Sequence, residues 1–562
     1  MRRFNCILLL LAFAVIALPA FGQAPDVDRL VSLPKLDGTA PTNPVWSPDS
    51  QQIAFLWNEH GMPFRDVWLA RPDGLKRLTR LAPDPQTVLG PGEDLSLDAL
   101  RERAERRQQR GVSALAWHPN GQSVFYVVGG QLYLARIETG HSQLIGEGGG
   151  QLSVSPDKRY LAFTRGGDLW IHNIAEQTVE KLTELGVPGI ATVPIGAYVR
   201  PDAYVGRYRW SPDSSRLVIE FVDQRSVRRV PFPSYLHEEP LLSEVRRPYP
   251  GDSDLVRRVG VVALEDRAVN WLDLDAPNRR VLLDLEWSPE GDRFLIMQGA
   301  DVAEQRWIFV ADPESGSLTR VWEDQRPRRP YPLFRALWSA DGEEIYFIGD
   351  HETYYRLYAL PAEGGKPRRL TGEFDVAGDR GRPWIEVEPN SGDLLFVSAQ
   401  HSPYERHVYR LPAGGGATRK LTTLPGLHEP HLSPDGQRLA LIRSSDTTPS
   451  ELYWLELDGE SSEQRLTHSP LPAFEAIDLI EPEYVSFPSR IDDFEIHARI
   501  IWPRDMAPGK RYPVMFGSVY SNTVLNQWNP DRPTSFLQQQ MAIKGDYITV
   551  LVRSEERRVG KE

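Results

Sequence analysis

Two histidines close together in the chain, His428 and His431, could do metal chemistry. Imidazole and carboxylate groups are ligands that Zn²⁺ prefers in proteins, and Glu429 lies between the two histidines. However, Pro430 also lies between them and prevents the helical spacing by which two such ligands usually reach one ion. We therefore predict an ordinary pair of loop histidines and no metal site.

A second set of candidate residues is rich in arginine. The segment Leu95–Arg110 contains no glycine or proline and consists mainly of helix formers, so we expect an exposed helix. Its side chains Arg101 and Arg106 could bind a substrate carbonyl or carboxylate, because a guanidinium group forms bidentate hydrogen bonds to such groups. The alternative is a solvated helix with ion pairs one turn apart, such as Arg101 with Glu105.

The composition limits what kind of protein positions these side chains. The chain has 562 residues, more than one ordinary domain holds, and its formal net charge is −13. An acidic chain is a poor nucleic-acid binder, because neutralising phosphates requires a basic surface. The single cysteine, Cys6, excludes a disulfide scaffold and a cysteine-based zinc cluster.

The first 22 residues have the pattern of a Sec-type signal peptide. Arg2 and Arg3 precede a short apolar run, Cys6–Ala20, and small residues flank the expected cleavage position at Gly22. We expect a periplasmic or secreted protein that is not bound to the membrane once residues 1–22 are removed. The alternative is an anchor that is not cleaved.

A short phrase recurs eight times in the rest of the chain. It consists of an aromatic or aliphatic residue, then Ser, Pro, Asp or Asn and often Gly, followed by an apolar strand. The proline position, which is alanine in one copy, falls at residues 48, 119, 156, 212, 289, 340, 389 and 434. A period of ~40–50 residues with four short strands per repeat is typical of a β-propeller. We predict a mainly β fold with an eight-bladed β-propeller over residues 23–481, and an array of β-sandwiches is the alternative.

Two long intervals between copies of the phrase indicate insertions near residues 82–110 and 223–259. The first contains the predicted helix. The second is rich in proline, arginine and glutamate, which favours a long loop or an extended arm.

After about Pro482 the repeat stops and a different pattern begins. Apolar runs at Ile496–Trp502, Tyr512–Gly517 and Tyr547–Val552, with a helix predicted over Phe536–Lys544, are typical of the start of an α/β domain. Such a domain would be incomplete at residue 552. We expect a truncated domain over residues 482–552 and a foreign or artefactual tail over residues 553–562.

Three segments together with this arrangement resemble a known family. They are Arg101–Arg107 before Gly111, Arg247–Gly251 before Val259, and Tyr512–Val514 continuing through Val519–Thr523. The chain resembles the prolyl oligopeptidase family of serine peptidases, and in particular its dipeptidyl peptidase IV branch.

This resemblance implies a propeller that covers an α/β-hydrolase domain and admits short or unfolded peptides. It implies acyl transfer through a serine ester, with no metal and no cofactor. By the same resemblance, the hydroxyl of Tyr520 would donate to the oxyanion of the tetrahedral intermediate. No Gly-x-Ser-x-Gly nucleophile motif occurs in the 562 residues, so we expect this chain alone to lack the Ser-Asp-His triad and to be inactive.

The chain departs from the family's pattern where the substrate amine would bind. Dipeptidyl peptidases hold that amine with paired glutamates shortly before a Trp-Ser-Pro turn. The matching segment Ala197–Tyr204 has only Asp202, beside Arg200, which is a poor site for an ammonium group. Glu238 and Glu239 in the second insertion could supply the pair instead, and a solvated pair of loop residues is the alternative.

We therefore predict the propeller portion of a periplasmic or secreted serine peptidase whose partner is a peptide substrate. The resemblance also allows for a homodimer. Weak recognition of the amine favours two variants of this function, an acylaminoacyl peptidase and an endopeptidase. A non-catalytic periplasmic propeller that binds peptides or a partner protein is the alternative from another class.

Overall fold

The computed structural model describes residues 27–83, 110–189, 201–235, 239–274, 280–300, 305–325, 335–350, 354–377, 383–459, 462–490, 495–517, 524–529, 534–545 and 547–552. The predicted signal peptide, all of the predicted arginine-rich helix except Arg110, and the predicted tail lie outside these residues. None of the described helices is both long enough and apolar enough to cross a bilayer.

Within the described residues, eight antiparallel four-stranded sheets follow one another along the chain, which confirms the predicted mainly β, eight-bladed propeller. Blades one to four consist of β1 (Thr42–Trp46), β2 (Ile53–Trp57), β3 (Asp66–Arg71), β4 (Gly74–Arg77); β5 (Val112–Trp117), β6 (Ser123–Val128), β7 (Gln131–Arg136), β8 (Ser142–Glu147); β9 (Ser153–Val154), β10 (Tyr160–Arg165), β11 (Asp168–Asn173), β12 (Thr178–Lys181); and β13 (Ala203–Trp210), β14 (Arg216–Asp223), β17 (Val256–Ala263), β18 (Val269–Trp271).

Blades five to eight consist of β19 (Arg280–Trp287), β20 (Phe294–Ala300), β21 (Gln305–Ala311), β22 (Leu318–Gln325); β23 (Ala336–Trp338), β24 (Glu344–Gly349), β25 (Arg356–Pro361), β26 (Arg368–Arg369); β27 (Ile385–Val387), β28 (Leu394–Ser398), β29 (His407–Leu411), β30 (Arg419–Lys420); and β31 (Leu427–Leu432), β32 (Arg438–Ser444), β33 (Glu451–Glu456), β34 (Gln464–Arg465). First strands of neighbouring blades contact one another, as β13 does β19, so these strands surround the central axis.

The recurring phrase forms the turn between the first and second strands of a blade. In blade six the Ser339 hydroxyl donates to the Asp341 carboxylate at 2.6 Å, and the Ser339 amide donates to the carbonyl of Glu344 at 2.8 Å. The glycine that ends the phrase, Gly342, has a φ of 71°, a conformation that costs glycine little. The hydrogen bonds of this turn therefore join residues that are at most five positions apart in the sequence.

The tryptophans of the phrase, in the blades that have one, join their blade to the preceding one. Their indole nitrogens donate to main-chain carbonyls on the first strand of that blade. The pairs are Trp117 with Val45 at 2.9 Å, Trp210 with Ser153 at 3.2 Å, Trp287 with Arg209 at 3.1 Å and Trp338 with Glu286 at 3.3 Å. Their rings pack in the apolar cores between blades.

Blade four contains the second predicted insertion. Its strands β14 and β17 pair directly, and the chain between them forms a two-stranded hairpin, β15 (Arg229–Ser234) with β16 (Leu241–Arg246). This hairpin, which we call the arm, lies at the connection between the second and third strands of the blade.

A ninth sheet follows the propeller, in the order β35-β36-β38-β37. Its strands are β35 (Glu483–Pro488), β36 (Glu495–Ile501), β37 (Val514–Phe516) and β38 (Ile548–Val552). Strands β37 and β38 are parallel, and the helix α3 (Thr534–Ile543) lies between them in the chain, as expected for an α/β unit. Two shorter helices are α1 (Val27–Val31) and α2 (Pro472–Glu475).

The run Tyr512–Gly517 was predicted to be a buried parallel strand. Its parallel pairing is as predicted, but its burial is not. Phe516 is 66% exposed, and Val514 and Met515 are each nearly half exposed. The physical reason is position: β37 is the edge strand of the ninth sheet, and nothing in the described residues covers its side chains.

Candidate functional site

The ninth sheet packs against one particular face of the propeller. The connection between β32 and β33 reaches it through an ion pair between Asp446 and Arg499, 2.6 Å apart and both buried. Tyr484 of β35 donates to the same carboxylate, and Arg499 also donates to Gln538 of α3 at 3.1 Å. Burial raises the pKa of Asp446, and the guanidinium of Arg499 opposes that rise.

The connection between β28 and β29 makes a second contact with the ninth-sheet region. The ring of Tyr404 lies 4.2 Å from that of Tyr484, and its hydroxyl is 3.2 Å from Nδ1 of His497 on β36. The amide of Asn526 donates to the carbonyl of Tyr404, and its side-chain oxygen accepts from the amide of Asp446, both at 2.8 Å. We call this set of contacts the interdomain seam.

The seam and the arm are on the same face of the propeller. In every blade the connection between the second and third strands emerges at the end opposite the recurring turn, because successive strands are antiparallel. The seam uses these connections in blades seven and eight, and the arm is the same connection in blade four. The face that bears the ninth sheet is thus the face from which the arm projects.

Asp202, the predicted ligand of a substrate amine, lies at the base of the arm and is paired. Its two carboxylate oxygens accept from Nε of Arg246 at 3.2 Å and from Nη2 at 2.6 Å. The same guanidinium donates to the carbonyls of Arg225 and Val227. An ammonium group would therefore have to compete with a bidentate guanidinium for this buried carboxylate.

Glu239 lies at the far end of the arm and is exposed. Six residue pairs separate the base of the hairpin from its turn, a length of about 17 Å for extended strands. Glu239 is therefore well separated from Asp202. Glu238, Arg101, Arg106 and Tyr520 lie outside the described residues, so their predicted roles stay predictions.

Arg246, the partner of Asp202, was not predicted from the sequence to be part of the site. It is one of several arginines in the second insertion, and its partner Asp202 lies 44 residues earlier in the chain. No local pattern marks which of these arginines turns toward blade four.

A group of charged side chains lies on or directly before the first strands of blades four to seven, which surround the central axis. The guanidinium of Arg335 contacts Asp284 and lies 4.0 Å from Glu386, and Nη2 of Arg209 lies 3.7 Å from Asp284. Burial raises the pKa of Glu286 to about 7, although the positive charge of Arg335 opposes the rise.

The two histidines considered for metal binding are on a strand and not in a loop, so that part of the prediction was wrong. Both belong to β31, and Pro430 between them is paired with Leu441 of β32. Residues three apart on a strand point to opposite faces, so His428 and His431 cannot share an ion. Nδ1 of His428 lies 2.8 Å from the carbonyl of Arg406, and burial lowers the pKa of His431 to about 4.

The comparisons with known proteins agree with this architecture. The model of the dipeptidyl peptidase IV (DPP IV) N-terminal region matches residues 150–450. The chain belongs to this family, the propeller portion of dipeptidyl peptidase IV-like proteins.

Two known proteins show how far the similarity extends. The chain is 22% identical over 443 residues to the dipeptidyl-aminopeptidase B of Aspergillus niger, covering 72% of this chain and 48% of that protein. The crystal structure of Porphyromonas gingivalis dipeptidyl peptidase 4 superposes with a TM-score of 0.67 at 18% identity, covering 92% of this chain and 72% of that one. The chain spans about half the length of the curated relatives it matches.

Proposed function

We propose that the chain is the propeller and the beginning of the catalytic domain of a periplasmic or secreted serine peptidase, which cleaves short peptides through an acyl-enzyme. Family membership supports a peptidase. The observation that favours this function most is the position of the ninth sheet. Its parallel pair β37–β38 and helix α3 are docked on the propeller face that also bears the arm.

In this proposal the propeller restricts access and the sheet positions the reacting groups. Tyr520 follows β37 by four residues, and the carboxyl ends of parallel strands are where α/β domains place their sites. A phenolic donor aimed at the oxyanion would stabilise the tetrahedral intermediate by about 2.7–4 kcal/mol. The nucleophile, its base and the acidic partner would come from residues that are not in this chain.

The arrangement around Asp202 bears on which peptides are cleaved. Release of dipeptides requires an anion that binds the free amine of the substrate. The negative charge of Asp202 is already paired with the guanidinium of Arg246. We propose that the enzyme does not depend strongly on a free amino terminus, as in an acylaminoacyl peptidase or an endopeptidase. The name of the Aspergillus niger relative, dipeptidyl-aminopeptidase B, supports the opposite specificity.

The test is a hydrolysis assay on the protein produced from its natural gene. We expect turnover of dipeptidyl p-nitroanilides and labelling by a fluorophosphonate, with the acetylated dipeptide cleaved at a rate similar to the free one. Tyr520→Phe should lower kcat about 10²–10³-fold with little change in KM. Tyr512→Phe is the matched control, since its hydroxyl meets only the exposed Asp505–Ala507 loop.

A protein that neither reacts with the fluorophosphonate nor hydrolyses any of these peptides would contradict the proposal. If the same protein bound unmodified peptides in calorimetry, the non-catalytic propeller would take its place.

A further inference from the structure

We propose that His401, Glu405 and His407 form a binding site for a divalent transition-metal ion, with Zn²⁺ as the best match. The three residues belong to the connection between β28 and β29 and to the first residue of β29. None of the three residues is among those proposed for peptide cleavage. Nothing in the comparisons with known proteins assigns it.

The geometry of the three side chains fits one small ion. One ligand atom from each residue lies within 4.8 Å of the others. Oε2 of Glu405 is 2.9 Å from Nε2 of His407 and 4.0 Å from Nε2 of His401. Zn²⁺ binds nitrogen and oxygen at about 2.0–2.2 Å, so tetrahedral ligands lie roughly 3.3–3.6 Å apart. To reach that spacing the Glu405–His407 pair has to open from 2.9 Å by about 0.5 Å, and the exposed His401 has to move closer by less than about one bond length.

Hydrogen bonds behind the ligands hold two of them in position. Nδ1 of His407 lies 2.9 Å from the hydroxyl of Thr422, which also accepts from the amide of Val408 at 3.1 Å. The side chain of Asn526 donates to the other oxygen of Glu405 at 3.2 Å. Bonds of this kind fix the ring orientation and tautomer of metal-bound histidines and orient metal-bound carboxylates.

Burial changes steeply across the site. The side chain of His407 is 1% exposed, that of Glu405 is 16% exposed and that of His401 is 56% exposed. The ion would thus have two ligands fixed in the protein and one at the surface, with a position left for water. Two imidazoles and one carboxylate suit Zn²⁺ better than Mg²⁺ or Ca²⁺, which prefer oxygen ligands only.

A second observation comes from His428, whose ring lies 5.1 Å from that of His407. His428 is fully buried, and its Nε2 lies 3.7 Å from the buried carboxylate of Glu463. The three ligands therefore lie beside a second buried pair of an imidazole and a carboxylate.

Metal binding would stabilise contacts of the interdomain seam. Glu405 is bonded to Asn526, and the adjacent Tyr404 contacts both Asn526 and His497. An ion that fixes Glu405 and His401 would tie the connection in blade seven to the ninth-sheet region. We expect zinc to stabilise the protein against unfolding of this region.

The test is titration of the tag-free, chelator-treated full chain with Zn²⁺ in calorimetry, followed by thermal unfolding. We expect one site with a Kd in the micromolar range or below and a rise in Tm on adding zinc. His401→Ala should weaken zinc binding at least tenfold and abolish the rise in Tm. Because His401 is exposed, this variant keeps the fold.

The matched control is His468→Ala, since His468 is also exposed and contacts a glutamate, Glu475, away from the site. It should bind zinc as the unmodified chain does. A second variant, Glu405→Gln, keeps the hydrogen bond from Asn526 and should also weaken zinc binding. The proposal is overturned if zinc does not bind, or if His401→Ala and Glu405→Gln both bind it as tightly as the unmodified chain.

Discussion

The indole nitrogen of Trp46 in blade one donates a 2.8 Å hydrogen bond to the carbonyl of His431 in blade eight. It repeats, between the two ends of the propeller, the bond that joins blade two to one and blade five to four. The ring of Trp46 also packs edge-on against Trp454, with centroids 4.5 Å apart. The first and last blades therefore share one apolar core, and the propeller closes without a strand exchanged between them.

Replacing this donor should weaken the closure. Trp46→Phe keeps most of the buried area but leaves the His431 carbonyl without its donor, at an expected cost of about 1–3 kcal/mol. Urea unfolding measures the change. Trp502→Phe is the control, because its indole bonds to Glu483 at an exposed edge and its loss should cost less than about 0.5 kcal/mol. Equal effects of the two variants would show that the closing bond contributes nothing.

The pair at the base of the arm should be structural. Arg246→Met leaves the buried carboxylate of Asp202 without its partner and should destabilise the protein by about 3–5 kcal/mol. Adding Asp202→Asn to this variant should restore part of the loss, because no charge is then left buried. The control is Arg225→Met, whose partner Asp223 is partly exposed and whose loss should cost less than about 1 kcal/mol. A double variant no more stable than Arg246→Met alone would contradict the pairing.

The buried carboxyl group of Glu286 should make stability depend on pH. Its folded pKa of about 7 exceeds its ordinary value of 4.5, so the folded protein holds this proton more tightly than the unfolded chain. The resulting stabilisation is complete below about pH 4.5 and is lost as the pH rises through 7. On going from pH 5 to pH 8 the unmodified chain should therefore lose about 2–3 kcal/mol of stability that Glu286→Gln does not lose.

Denaturant unfolding at pH 5 and pH 8 checks this difference. Glu314→Gln serves as control, because the Glu314 side chain is 81% exposed and its removal should not alter the pH dependence. A Glu286→Gln variant with the same pH profile as the unmodified chain would show that the carboxyl titrates normally.

Blade six offers a stabilising substitution, since Ala340 occupies the position that is proline in the other copies of the phrase. The turn around it has the same bonds as the turn around Pro48, from Ser339 to Glu344 and from Gly342 to Ser339. Ala340→Pro should raise the free energy of unfolding by about 0.4–1 kcal/mol, because it restricts the unfolded chain. Ala340→Gly should act in the opposite direction. Destabilisation by the proline would mean that this turn differs from the others.

The blades could be predicted from the sequence because their turn is encoded within a few residues. Ser339 and Asp341 bond to each other across two residues, and the apolar strand follows at once. Eight such turns fix the number of blades.

The residues around the candidate sites could not be predicted in the same way, because their partners are distant in the chain. Asp202 and Arg246 meet only after the arm folds back, and Glu405 meets Asn526 across 121 residues. His428 and His431 were misplaced because Pro430 suggested a loop, whereas proline is tolerated where its missing amide is not needed by a neighbouring strand.

The central claim is that this propeller belongs to a serine peptidase, and the most direct measurement is to sequence the source DNA beyond the codon for Val552. The account predicts an open reading frame that encodes a Gly-x-Ser-x-Gly motif, followed by an aspartate and then a histidine. A reading frame that ends at Glu562 would contradict it, and the propeller would then act by binding alone.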